Sequence, residues 1–97
     1  MTNETAVDMN MALRLVKTRL NRVQGDTSLD ETLIYRIEAA IGQLTAIGIN
    51  LTGDERDLML VVDYTVWQYG NRDKPGAMPE WLRRERFERW LESGVTG

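Results

Sequence analysis

Apolar side chains recur at three- and four-residue steps from Met9 to Val23, which is the spacing of one face of an α-helix. Gly25 follows, a residue type that commonly forms the left-handed turn after a helix. The stripe consists of Met9, Leu13, Val16, Leu20 and Val23. The pattern therefore predicts a first amphipathic helix that stops before Gly25.

A second striped segment begins after Ser28. Ser28 and Glu31 have the spacing of a capping box, in which each side chain accepts a hydrogen bond from the other residue's backbone amide. Gly48 supplies a natural end to this helix. The apolar stripe between these limits consists of Leu33, Ile34, Ile37, Ala40, Ile41, Leu44 and Ile47.

The third segment, Leu58 to Tyr69, has almost no polar face, which predicts a helix buried in the core. Thr52 and Glu55 repeat the capping-box spacing, so this helix is expected to open just after Thr52. The apolar run is shorter than the ~20 residues that span a bilayer, and we predict no membrane contact. Asp63 interrupts the run, which predicts an ion pair with an arginine or, alternatively, an edge position in water.

The stretch from Gly70 to Met78 is rich in residues that favour turns, which predicts an exposed loop. Pro79 suits the first position of a fourth helix, predicted over Pro79 to Ser93 and ending at Gly94. The whole pattern predicts an all-α fold: a small bundle of about four helices in one domain over residues 1–97, with 1–8 and 94–97 flexible.

The composition argues against an enzyme. The 97 residues carry a net charge of -3 and include no histidine and no cysteine, so the commonest general base, the commonest metal ligand and any thiolate are absent. We therefore predict no catalytic residue, no metal site and no cofactor. The polar N-terminus lacks the basic start and apolar run of a signal peptide, which predicts a cytoplasmic site of synthesis.

The fourth segment leaves three interpretations open. It combines aromatic residues with equal numbers of arginines and glutamates: Arg83, Arg84, Arg86 and Arg89 against Glu80, Glu85, Glu88 and Glu92. A solvated helix stabilised by pairs such as Glu80–Arg84 and Glu85–Arg89 is one interpretation. A protein-binding helix is the second, because interfaces are enriched in Trp and Arg. Nucleic-acid contact is the third, and the balanced charge disfavours it.

Two further helix faces are candidates for contact between subunits, with an ordinary solvated face as the alternative for each. The first helix carries a basic side, whose natural complements are the acidic runs at 26–31 and 54–57. The second carries small residues that permit close approach of another helix, including a helical glycine that costs about 1 kcal/mol relative to alanine. The residues of the two faces are Arg14, Lys17, Arg19 and Arg22, and Tyr35, Ala39, Gly42 and Ala46.

From Leu33 to Leu91, a striped helix and a capped turn lead into an apolar helix with an aromatic end, Asp63 to Tyr69. An Asn/Arg/Asp loop at 71–73 and a helix led by Pro79 follow. About two thirds of the chain in this order resembles the head-tail connector family of long-tailed phages, also called head completion or adaptor proteins.

The resemblance implies a non-enzymatic structural protein of the virion, assembled in the host cytoplasm and located at the neck between head and tail. Its partners would be copies of itself in a homo-oligomeric ring, the phage portal protein and a downstream neck, stopper or tail-completion protein. Viral DNA would pass through the lumen without sequence-specific binding. The family grips the portal with its C-terminal part, which makes these residues portal-binding candidates: Trp81, Arg83, Arg84, Phe87 and Trp90.

A small helical DNA-binding regulator is the alternative, since short helices joined by capped turns also describe helix-turn-helix proteins. The basic side of the first helix would then face DNA. It lacks the grouping of Asn or Gln with Arg that reads base edges, apart from Asn21 and Gln24 near its end. An enzyme with a site made only of carboxylates is a third, formal alternative.

Overall fold

The computed structural model describes residues 6–73 and 76–95. It contains four helices: α1 (Met9–Arg19), α2 (Asp30–Ala46), α3 (Glu55–Gly70) and α4 (Glu80–Val95). The described residues include no strand, so the predicted all-α fold of four helices is confirmed. Within the same ranges, no helix has the length and apolar character needed to span a membrane.

Helix α3 lies at the centre of the fold. α1, α2 and α3 each pack on the other two, whereas α4 packs on α3 alone among the helices. The expectation that the apolar third segment is buried is confirmed, since α3 supplies Leu60, Val61 and Val62 to the core. The remaining buried apolar residues are Val7, Ala12, Val16, Leu33, Ile37, Ala40, Leu44, Ile49, Tyr64 and Leu82.

Helix α1 is shorter than its apolar stripe. It ends at Arg19, and the left-handed residue after it is Asn21 at φ 60°, so the predicted stop at Gly25 is wrong. Asparagine tolerates this conformation better than most non-glycine residues, which allows the chain to turn four residues early. Val23 consequently lies outside the helix and is 73% exposed.

The structure describes part of each chain end that is predicted to be flexible. Val7 is buried, and the Asp8 carboxylate caps α1 by accepting a hydrogen bond from the Met11 backbone N–H at 3.1 Å. The flexibility of 1–8 and of 94–97 stays a prediction. α4 continues through Gly94 to Val95 instead of ending at Gly94. Residues 1–5 and 96–97 lie outside the described residues.

The start of α2 differs from the prediction and its end agrees. The Ser28 backbone N–H donates to the Asp26 carboxylate at 3.0 Å, and α2 begins after Leu29 without a side-chain cap. The predicted capping box is therefore absent, because an Asx-type turn at Asp26 takes its place. Gly48 follows the last turn with φ 111°, as expected of a glycine that ends a helix.

The loop between α3 and α4 begins at Asn71. The Asn71 side-chain amide donates to the Trp67 carbonyl oxygen at 2.8 Å and closes the end of α3. Pro79 precedes α4, and its carbonyl oxygen accepts hydrogen bonds from the Leu82 and Arg83 backbone N–H groups. Pro79 is thus the residue before the helix and not its first helical residue. Residues 74–75 of the predicted loop lie outside the described residues.

Candidate protein-binding surface of the C-terminal helix

A buried ion pair fixes the position of α4. Arg89 is 7% exposed and Asp57 on α3 is 1% exposed. The Arg89 guanidinium donates twice to the carboxylate, from Nε to Oδ1 at 2.5 Å and from Nη2 to Oδ2 at 3.0 Å. Such a two-point contact sets both the distance and the orientation of the two helices.

The loop before α3 completes this pair. The Thr52 backbone N–H and hydroxyl both donate to Asp57 Oδ2, at 2.7 and 2.8 Å. Arg89 Nη2 also donates to the Asn50 carbonyl oxygen at 2.8 Å, and the Asn50 backbone N–H donates to Ser93 Oγ at 2.8 Å. α4 is therefore tied to this loop as well as to α3.

The same contacts replace the capping box predicted at Thr52 and Glu55. The Thr52 hydroxyl oxygen accepts from the Asp54 backbone N–H at 3.1 Å, and its proton is donated to Asp57. Asp54 is the residue before α3 and makes no side-chain cap. The capping prediction is wrong because the Thr52 side chain hydrogen-bonds with the buried Asp57 carboxylate instead of with Glu55.

Both members of the ion pair are held in their charged forms. Burial alone raises the pKa of the Asp57 carboxyl, but hydrogen bonds from Arg89 and Thr52 outweigh it and hold that pKa below its usual value. The hydrogen bond to Asp57 raises the pKa of Arg89, although burial opposes it. The predicted Glu85–Arg89 pair is not formed, since Arg89 pairs with Asp57 and, at 3.5 Å, with Glu92.

The Asp57–Arg89 pair was not predicted from the sequence, although one signal of it is present there. Arg89 lies seven residues after Leu82, which places both side chains on the same face of a helix. Leu82 is fully buried and is the apolar contact of α4 with the core. An arginine on the same helix face as a buried leucine is expected to be buried too. Its charge then requires an acidic partner in the interior.

With Leu82 and Arg89 facing the core, the other sides of α4 are left in solvent. One side forms an open groove of about 670 Å³, here called the α4 groove, lined by Ile47, Glu80, Arg83, Arg84, Arg86, Phe87 and Trp90. The rings of Phe87 and Trp90 stack, with centroids 5.8 Å apart and planes inclined by 26°. Trp90 also lies close to Gly48, where a Cβ atom would stand 3.4 Å from the indole Nε1.

The rim of the α4 groove is basic. Glu80 pairs with Arg83 at 3.1 Å and with Arg84 at 3.8 Å, which confirms the predicted Glu80–Arg84 pair. Arg86 forms no ion pair with any described residue. Three arginines thus face one carboxylate around an apolar floor, although the helix as a whole carries no net charge.

The opposite side of α4, here called the Trp81 flank, is acidic. Trp81 lies beside Asp63, Glu85 and Glu88, with Arg84 as the single basic neighbour in this hollow. Asp63 pairs with Arg19 of α1, so its predicted ion pair with an arginine is confirmed. Burial, followed by the charge of Asp63, raises the pKa of the Glu85 carboxyl.

The predicted basic face of α1 is largely neutralised within the chain. Lys17 is buried, and its ammonium group contacts the Asp30 carboxylate and donates to the Gln24 carbonyl oxygen, each at 2.9 Å. Arg19 pairs with Asp63. The prediction that four basic side chains form one exposed face is therefore wrong, since only Arg14 and Arg22 are exposed without an ion pair to a described residue.

The small-residue side of α2 is open to solvent. Tyr35 is 68% exposed, and Ala39, Gly42 and Ala46 are exposed beside it. A Cβ atom added at Gly42 would meet no heavy atom within 4 Å. The contact of this side with another subunit stays a prediction.

The exposed sides of α4 offer apolar contacts and charged groups to a partner. The described ranges 6–73 and 76–95 contain no cluster of three His, Cys, Asp or Glu residues that could hold a metal ion. Comparison of the chain with known protein families, with curated protein sequences and with solved structures gives no match.

Proposed function

We propose that this protein is a structural assembly subunit, a head-tail connector of a long-tailed phage that forms a ring on the portal. The ring extends the DNA channel and provides the docking platform for the next neck or tail protein. The observation that carries the proposal is the exposure of three large aromatic side chains on one helix, Trp81, Phe87 and Trp90. Aromatic residues exposed together on a small soluble domain are typical of protein interfaces.

Two properties of α4 support this function. The buried Asp57–Arg89 pair holds the helix in place before a partner arrives, which reduces the ordering cost of association. The α4 groove and the Trp81 flank also lie on different sides of the helix and differ in charge. A ring subunit needs separate contacts with the portal and with its neighbours, and two unlike surfaces suit that requirement.

From the resemblance to connectors, we propose that the chain contacts the portal through this helix. The portal-binding candidates are Trp81, Arg83, Arg84, Phe87 and Trp90. All five are exposed, so each is accessible to a partner. The DNA-binding alternative is weakened because Lys17 and Arg19 are paired within the chain and leave little basic surface on α1.

The test is immunogold electron microscopy of purified virions that carry a tagged copy of the protein. Label at the head-tail junction is the expected result. Virions without label, with the protein left in the soluble fraction of the host, would refute the connector function.

The portal contact of α4 is tested in the same virions with the variant Trp81→Ala, because Trp81 lies outside the α4 groove. We expect this variant to be lost from virions while its helical content, measured by circular dichroism, is unchanged. Arg56→Ala is the matched control, because Arg56 is exposed on α3 and Glu92 is its one ion-pair partner among the described residues. Normal incorporation of Trp81→Ala would refute a portal contact through Trp81.

A further inference from the structure

We infer that the α4 groove of one copy receives the exposed side of α2 from a second copy, in a head-to-tail contact. This inference deepens the proposed function, on which it rests for the closure of a ring. The contact between two copies is testable by itself.

The groove offers an apolar floor inside a basic rim. Ile47, Phe87 and Trp90 form the floor, and all three are exposed in the isolated chain. The rim around them has a net positive charge. Arg83 and Arg84 share one carboxylate, that of Glu80, and Arg86 has no ion pair with a described residue. An occupant that matches this groove is a helix with an apolar or small centre and acidic edges.

The exposed side of α2 has that composition. Glu31, Tyr35, Glu38 and Gly42 are spaced four, three and four residues apart, which places them along one line of the helix. Neither Glu31 nor Glu38 forms an ion pair with a described residue, and both are exposed. We call this line, with the neighbouring Ala39 and Ala46, the α2 face.

The α2 face and the α4 groove match in both charge and shape. Two free carboxylates on α2 stand against a groove with more arginines than acids. Gly42 and its alanine neighbours leave the α2 backbone open to close approach, because nothing occupies the space above Gly42. Tyr35, as the largest exposed side chain of the face, provides an aromatic anchor for the apolar floor.

The two surfaces cannot meet within one chain as folded, since they lie on different sides of it. Ala46 belongs to the α2 face and Ile47 to the groove, and successive helical residues point about 100° apart. A contact between unlike surfaces of identical chains is heterologous, so it repeats from copy to copy and closes into a ring when the rotation allows it. With this assignment the portal-binding candidates Phe87 and Trp90 contact the second copy instead, and the Trp81 flank stays free for the portal.

The test uses two charge-reversed variants. The first, the face variant, is Glu31→Arg with Glu38→Arg. The second, the groove variant, is Arg83→Glu with Arg86→Glu. Sedimentation velocity at low salt and high protein concentration measures association, and circular dichroism verifies the fold of each variant.

We expect the wild-type chain to self-associate and each variant alone to associate at least about tenfold more weakly, which corresponds to about 1.4 kcal/mol. An equimolar mixture of the two variants retains one intact face and one intact groove. The reversed face of one variant and the reversed groove of the other are also complementary in charge, so the mixture is expected to regain association, with the two variants alternating. A chain carrying all four substitutions restores complementary charges and is expected to assemble again.

The matched control is the double variant Arg14→Glu and Arg22→Glu, which makes the same change of net charge at exposed arginines outside both surfaces. Its association is expected to equal that of the wild type. A monomeric wild type, a control as weak as the groove variant, or a mixture that associates no better than either variant alone would each overturn the inference. Gold label at the neck in any of these cases would leave the connector function intact, so the two failures are distinguishable.

Discussion

The substitution Asp57→Ala tests whether the buried ion pair anchors α4. It leaves the Arg89 guanidinium, 7% exposed, without its main partner and removes the acceptor of two Thr52 hydrogen bonds. Removing one member of a buried ion pair costs about 3 to 5 kcal/mol. A domain of this size has a total free energy of unfolding of roughly 5 to 15 kcal/mol, so the variant is expected to lose a large part of its stability.

Urea unfolding at neutral pH, followed by tryptophan fluorescence, measures this loss. Arg56→Ala is the control, because the neighbouring Arg56–Glu92 pair is exposed and an exposed pair contributes about 0 to 1 kcal/mol. The joint replacement Asp57→Leu with Arg89→Met removes both charges and is expected to be more stable than Asp57→Ala. A loss for Asp57→Ala no greater than that for Arg56→Ala would refute the anchoring role.

The stability lost in the Asp57→Ala variant should also depend on pH. The folded state lowers the pKa of Asp57, so the stability that this carboxylate contributes is present above its ordinary value of 3.8 and disappears as the pH falls below it. The difference in unfolding free energy between the wild type and Asp57→Ala should therefore shrink in acid. A difference that stays constant from neutral to strongly acidic pH would contradict the charged state of the pair.

Urea unfolding tests three further predictions. Leu82→Ala should cost about 2 to 5 kcal/mol because its side chain is fully buried, whereas Leu91→Ala, at an exposed position on the same helix, should cost about 0.5 kcal/mol or less. Equal losses would contradict the packing of α4. Gly42→Ala should stabilise the chain by up to about 1 kcal/mol, and Gly48→Ala should destabilise it by about 1 to 2 kcal/mol because φ is 111°. A stabilised Gly48→Ala would contradict the left-handed turn. Glu85→Gln should stabilise the chain at neutral pH, since the raised pKa marks a carboxylate that the fold disfavours, and the gain should vanish in acid.

The helices of this chain were predictable because burial of an apolar stripe leaves a three- to four-residue period in the sequence. Their ends were less predictable, because turn-forming residues compete locally. α1 ends just before Asn21, which lies four residues before the predicted stop at Gly25. A turn at Asp26 forms where a cap at Ser28 was expected. The sequence indicates that a helix ends in this region. It does not show which of several neighbouring turn-forming residues ends it.

The pairing of charges was predictable only where partners are close in sequence. Glu80–Arg84 follows from helix geometry, whereas Arg89 selects Asp57, 32 residues away, over its local neighbour Glu85. That choice depends on which face of α4 is buried, and the choice of face depends on the tertiary packing. The burial of Lys17 has the same origin, because the partner Asp30 reaches it only after α1 and α2 pack.

Because α4 packs on α3 alone among the helices, it is expected to open as a separate cooperative unit. Such an opening breaks the Asp57–Arg89 pair and uncovers Leu82, while the mutual packing of α1, α2 and α3 persists. Its free energy is then lower than that of global unfolding, and the amide protons of α4 exchange with solvent before those of α3. A chain built in this way is able to release α4 from its core without losing the packing of the other three helices.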